Sequence, residues 1–189
     1  MKKFFILSLI LLIGGTVARA DEHPANYNRI SMSFRNVNFT GASGFVGGSF
    51  NYIHGFSLSS QLPIYLETGG SLSYVGKDES GHGWDAGYGT IEVPVNATYR
   101  VCLPSSSIVI YPSLGLNFKG NIIGSSDMSS DTQEWYSDYE FKRFQLGWQL
   151  GVGMEYKKLF VGISFGTDFV QIAKKVNTNT LAVSVGLNI

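Results

Sequence analysis

The chain has 189 residues with 14 basic and 14 acidic side chains, and only 15% of it is charged. A balance so close to neutral excludes the basic face that nucleic acids require, and the single cysteine, Cys102, excludes an internal disulfide. With 23 Gly, 13 Phe and 10 Tyr, the composition suits a β-rich chain in which backbones or rings approach closely.

The first element is a leader. Met1, Lys2 and Lys3 make a positive start, Phe4 to Ile13 is apolar, and Ala18-Arg19-Ala20 precedes Asp21. This is the pattern of a secretory signal peptide over 1–20. Its apolar run is far short of the roughly 20 residues that cross a bilayer as a helix. No cysteine follows the run, so the lipoprotein form of the signal is not expected. The leader holds Lys2, Lys3 and Arg19 and no acid, so the remainder carries a formal charge of −3. No later stretch is apolar enough for a membrane helix. A short periplasmic segment is expected at 21–27, followed by one domain at 28–189.

Eight runs with a two-residue period follow, the signature of strands with one apolar face. Run 29–37 carries Ile30, Met32 and Phe34 on one face; run 45–54 carries Val46, Phe50 and Tyr52. Run 62–75 carries Leu62, Ile64, Leu66, Leu72 and Tyr74, and run 88–101 carries Ile91, Val93, Val95, Ala97, Tyr99 and Val101. Run 108–119 carries Ile108, Ile110, Leu114, Leu116 and Phe118. Run 142–156 carries Phe144, Leu146, Trp148, Leu150, Val152, Met154 and Tyr156. Run 159–169 carries Leu159, Val161, Ile163, Phe165 and Phe169, and the closing LAVSVGLNI carries Leu181, Val183, Val185, Leu187 and Ile189. Most runs reach the roughly 9–11 residues of a tilted membrane-spanning strand. Pro94 and Pro112 cannot donate to a ladder, so a bulge or local break is expected at each, with a shift of facing beyond it.

Connections alternate in length. Links 55–61, 102–107 and 157–158 are short, whereas 38–44, 77–87, 120–141 and 170–179 are longer and more polar. Transmembrane barrels have this asymmetry, with short periplasmic turns and longer outer loops.

The second face of the runs decides between a soluble and a membrane barrel. It is rich in Gly and Ser, and its charges nearly balance: Arg35, Arg100, Lys119 and Arg143 against Glu67, Glu92, Glu155 and Asp168. A solvated exterior would carry many long charged chains. The interior of an eight-stranded barrel is just wide enough for side chains to fill, and charges there must be paired. The apolar face carries no charge, as lipid requires: one Arg or Lys at mid-membrane costs about 2–4 kcal/mol. The expected fold is all-β, an eight-stranded antiparallel up-and-down transmembrane β-barrel. Tyr52, Tyr99 and Tyr156 at the short-turn end, and Tyr74, Phe118 and Phe144 at the long-loop end, read as aromatic girdles.

On these runs and on LAVSVGLNI, the chain over 28–189 resembles the small eight-stranded outer-membrane barrels of Gram-negative bacteria, the OmpA/OmpX-like group of the porin-type superfamily. GFSLSSQLPIYLETG (55–69) is similar to the second-to-third strand hairpin of members of that group. The resemblance implies residence in the bacterial outer membrane among lipids and lipopolysaccharide. It also implies that Leu181, Val183, Val185, Leu187 and Ile189 form the signal read by the barrel-assembly machinery. Members mostly end in Phe, where this chain ends in Ile189. Nothing here resembles the peptidoglycan-binding domain that some relatives append.

Candidates for chemistry are few. His54 is followed by Gly55, Phe56 and Ser57, which is not the His-x-Ser spacing that the resemblance associates with lipid A deacylases. His82 lies in 77–87 near Asp78, Ser80 and Asp85, as either a loop-borne catalytic set, a weak metal site or a solvated loop. His23 carries no motif. Loop 125–141 combines Asp127, Asp131, Glu134, Asp138 and Glu140 with Trp135, Tyr136 and Tyr139. Exposed aromatics suit an extracellular ligand at 120–141, and carboxylates suit calcium, although no EF-hand spacing is present. The plainer reading is a surface loop kept soluble by its acids and bridged to lipopolysaccharide by divalent cations. No cofactor, metal site or catalytic residue is expected. The lumenal charges read as a structural network. The alternatives are a narrow porin for small solutes, a lipid A-modifying enzyme and a lipocalin-like soluble binder.

Overall fold

The computed structural model describes residues 26–79, 84–103, 106–128, 131–134 and 141–189. Residues 1–20, expected as a leader, and His23, His82, Trp135, Tyr136, Asp138, Tyr139 and Glu140 lie outside the described residues. The strands are β1 (Asn26–Phe39), β2 (Ala42–Ser57), β3 (Ile64–Glu79), β4 (Trp84–Tyr99), β5 (Val101–Cys102) and β6 (Ile108–Met128). They continue with β7 (Asp131–Glu134), β8 (Phe144–Tyr156), β9 (Leu159–Asp168) and β10 (Thr178–Asn188).

All pairings are antiparallel, in the order β4-β3-β2-β1-β10-β9-β8-β6, and β4 pairs β6 to close the ring. The result is an eight-stranded barrel in which β5 prolongs the β4 stave and β7 pairs the far end of β6. Chain closure falls at β1 and β10, in register from Arg29↔Asn188 to Phe39↔Thr178. Ile189 extends the seam by exchanging both backbone hydrogen bonds with Asn28, at 3.2 and 2.8 Å. β1 begins at Asn26, two residues before the expected barrel start, and Tyr27 is already inside.

Alternation decides the facing. Ile30, Met32, Phe34, Phe50, Leu72, Leu114, Leu150, Ile163 and Val185 all stand exposed on the outer wall, while Arg29, Ser31, Ser33, Arg35, Ser49, Glu67 and Ser73 are buried inside. This is the reverse of a soluble barrel, and the exposed band carries the apolar surface that lipid covers.

The prolines break ladders without turning the facing. Register between β3 and β4 is the same at Thr68↔Val95 and at Ser71↔Glu92, and the pairing lapses between them, beside Pro94. Pro112 lies where the β4 stave divides: Thr98↔Ser113 and Val101↔Ile110 share one register, interrupted between them. The register shift between β4 and β6 occurs at Gly89/Thr90 instead. There both Ile122 and Ile123 are exposed, so the bulge is a device for presenting two apolar residues to the outside.

The long connections also differ from expectation. Polar segments above the band pair with each other rather than coil, because paired backbone needs no side-chain hydrophobicity. β1 and β2 run to a turn at Thr40-Gly41, with Gly41 in the left-handed region at φ 90°. β6 has 21 residues and climbs well past its partner β8. At the opposite end, Tyr156↔Leu159 closes a two-residue turn in which Lys157 takes φ 59°.

Candidate functional site

Among the described residues, the lumen is where this fold gathers its charges, and it does so in layers. At the short-turn end, inward residues of four strands are rings: Tyr27, Tyr65, Tyr111 and Phe160 form one buried cluster, with Val109 packed against it. Phe160 fits because Gly153 and Gly162 flank it; a Cβ at either would stand 2.3 or 2.8 Å from its ring. Two guanidinium groups thread the rings. Arg29 lies 4.1 Å from the Phe160 centroid, and Arg100 lies 4.9, 5.6 and 4.8 Å from Tyr27, Tyr65 and Tyr111. Desolvated contacts of this type contribute roughly 2 kcal/mol each. Each Arg also meets an acid: Arg29–Glu67 at 2.6 Å and Arg100–Glu155 at 3.1 Å. Tyr27 donates to Glu67 and Tyr111 to Glu155, and Asn188 donates to the Tyr111 hydroxyl at 3.0 Å.

Above this layer, Arg35 grips Glu92 with two nitrogens, at 2.5 and 3.1 Å. Glu92 also accepts from Asn117 at 2.6 Å and from Thr90 at 2.8 Å. A charged group taken out of water is tolerable only with its lone pairs satisfied in this way. Beside it lies a polar cavity of about 150 Å³, whose lining includes Ser31, Ser33, Ser49, Asn51, Ser71 and Ser184. Arg35 Nε and Asn117 Oδ1 have no protein partner there. A polar space of this size admits water.

The next layer holds Lys119 against Asp168 at 3.0 Å. Gln145, fully buried, donates to Asp168 at 3.1 Å and accepts from Tyr88 at 2.7 Å, and Thr178 donates to the same carboxylate. The outer mouth is then closed by an apolar cluster of Val37, Phe39, Phe45, Val75, Ala86, Tyr88 and Ile172. Ile172 belongs to the β9–β10 connection, which folds back on itself (Ile172 N to Val176 O, 3.0 Å) and sets that side chain fully inside.

Of the eight charges expected inside, seven are brought together: Arg35, Glu67, Glu92, Arg100, Lys119, Glu155 and Asp168. Arg143 is a correction. Its alternation with Gln145 points inward, but β8 starts only at Phe144, so Arg143 stands exposed at the outer rim. The fourth cation is Arg29, which sequence reasoning missed. Its signal was present, because it shares parity with Ser31, Ser33 and Arg35. Tyr65, Tyr111 and Phe160 were missed because their neighbours are apolar (or, beside Tyr111, a proline), and such stretches show no alternation; Tyr27 precedes the first alternating run.

Other candidates fall outside the lumen. His54 stands on the outer wall with its Nδ1 2.6 Å from Asn28 Oδ1. Cys102 ends β5, half-buried. Among the described residues no cluster of His, Cys, Asp or Glu could hold a metal ion.

Residues 6–188 match the family model for the outer membrane protein beta-barrel domain. The chain belongs to this family. As a member, it is a bacterial outer-membrane barrel, which agrees with the apolar outer wall and closed ring. No curated protein matches the chain by sequence. Solved structures share the fold. Neisserial surface protein A superimposes with a TM-score of 0.56 at 13% identity, over 87% of this chain and 97% of that one. A major outer membrane protein from Thermus thermophilus gives 0.54 at 11%, over 88% and 100%. Ail, the attachment invasion locus protein of Yersinia pestis, gives 0.50 at 13%, over 87% and 97%.

Proposed function

We propose that this member of the family is a non-enzymatic, side-chain-plugged barrel that serves the outer membrane as a structural element, with its outer connections free for surface contacts. The observation that carries the reading is the stack of cross-lumen ion pairs between a ring layer at one mouth and an apolar stopper at the other. A conducting path would have to break several buried pairs, at about 3–5 kcal/mol each. Against an enzyme speaks the partner of His54: it is an amide, Asn28, where a catalytic histidine would face a nucleophile or a carboxylate.

The second reading, a narrow porin for small solutes, is favoured by the mid-lumen cavity. Swelling of liposomes carrying the purified barrel, in an isosmotic solution of a small sugar, separates the two. No swelling supports the plugged barrel, and sugar entry supports the porin. Lipid A from cells with and without the protein is the matching test of enzymology, and any change in its acyl pattern overturns the non-enzymatic reading.

Surroundings follow from the same reading. Outer-membrane lipids and lipopolysaccharide cover the wall. The barrel-assembly machinery reads the strand containing Leu181, Val183, Val185, Leu187 and Ile189. An extracellular ligand would meet the loop at 120–141.

A further inference from the structure

A polar patch interrupts the apolar outer wall towards its short-turn end, where Thr68 on β3 stands opposite His54. Ile30, Met32 and Phe34 on β1 and Phe50, Tyr52 and Phe56 on β2 are all exposed on that wall. Asn28 and His54 share their face and stand directly opposite each other across the two strands. Asn28 Oδ1 accepts from the Tyr52 hydroxyl at 2.8 Å and lies 2.6 Å from His54 Nδ1. A carbonyl oxygen cannot donate, so His54 Nδ1 carries a proton, the tautomer whose lone pair lies on Nε2. The Phe56 ring, edge-on at 4.2 Å, holds the imidazole in place. Among the described residues neither His54 Nε2 nor Asn28 Nδ2 has a hydrogen-bond partner. The site therefore offers one acceptor and two N–H donors side by side.

Depth identifies what meets them. The group lies beside Ile189, at the short-turn end, which faces the periplasm in barrels of this kind. Tyr52 and Phe56 flank it at the level where aromatic side chains mark the lipid headgroups. Polar groups left unpaired at the edge of hydrocarbon are costly. A headgroup that carries both an N–H cation and a phosphate satisfies both ends.

We propose that Asn28 and His54 form a docking site for the phosphoethanolamine headgroup of an inner-leaflet phospholipid. Its ammonium donates to His54 Nε2, and its phosphate accepts from Asn28 Nδ2. Phosphocholine has the same phosphate but no N–H, so it forfeits the bond to His54.

Native mass spectrometry of the purified barrel, with phosphatidylethanolamine and phosphatidylcholine of matched acyl chains, tests the site. Retention of phosphatidylethanolamine should exceed that of phosphatidylcholine by about tenfold, the worth of one charge-assisted hydrogen bond. His54→Phe should bring the two lipids toward parity, and Asn28→Leu should weaken retention of both by removing the phosphate contact they share. A measurement on the unaltered chain needs no variant to fold: short-chain phosphatidylethanolamine should move the His54 Nε2 nitrogen resonance, and the choline analogue should not. Equal retention, a preference that survives His54→Phe, or a resonance that stays still with phosphatidylethanolamine overturns the site.

Discussion

Arg35 on β1 and Glu92 on β4 form a two-pronged ion pair across the lumen, with β2 and β3 lying between their strands. The other three pairs repeat the relationship. Arg29–Glu67 joins β1 to β3, Arg100–Glu155 joins the β4 stave to β8, and Lys119–Asp168 joins β6 to β9. None links neighbouring strands, so each ties together parts of the wall that the backbone ladder does not.

The pair at the centre should be costly to break and cheap to replace. Arg35→Met leaves Glu92 charged and short of its main partner, and should destabilise the barrel by about 3–5 kcal/mol. Arg35→Met combined with Glu92→Leu removes both charges and should recover most of that loss. Urea unfolding of the reconstituted barrel measures both, and a double variant as weak as the single one would count against the lumenal assignment.

Arg29 and Arg143 exchange the roles that alternation suggests. Arg29→Ala removes a buried guanidinium from Glu67 and from the Phe160 ring, and should cost about 3 kcal/mol or more. Arg143→Ala acts at an exposed rim position, where an ion pair contributes about 0–1 kcal/mol. Equal losses in the same unfolding assay would contradict the placement of one of them.

The outer wall gives a test of orientation. Ile163 is exposed midway along β9. Ile163→Arg should cost about 2–4 kcal/mol for a barrel folded in lipid vesicles. A change near zero would mean that water, not lipid, covers this face.

Closure at the seam is the last prediction. Deleting Leu187–Ile189 removes the pairs Leu187↔Ile30 and Asn188↔Arg29 and the two bonds between Ile189 and Asn28. The truncated chain should fail to give the compact, heat-modifiable form on detergent gels, whereas Ile189→Phe keeps the backbone pairing and should give it. Normal assembly of the truncation would show that the seam does not depend on these residues.

Legibility followed chemistry rather than position. β10 could be read from Leu181 onward because Leu181, Val183, Val185, Leu187 and Ile189 alternate with small or polar residues, whereas its polar start at Thr178 reads as connection. Glu67, Glu92 and Asp168 were legible because a charge in an alternating strand has only one tolerable side. The ring layer was not: Ile64-Tyr65-Leu66 and Leu159-Phe160-Val161 are apolar on both faces, so period says nothing about which side is in. Strand ends were equally hidden. Arg143 continues an alternation into a bend that precedes β8, and the bulge at Ile122 has no proline to announce it. The Asn28–His54 contact depends on cross-strand register, which no single run reveals.

The central claim is that the lumen is closed by its own side chains. Single-channel recording of the purified barrel in a planar bilayer tests it most directly. The account predicts a flat baseline at every applied voltage. Discrete, reproducible conductance steps from the unaltered chain would contradict it.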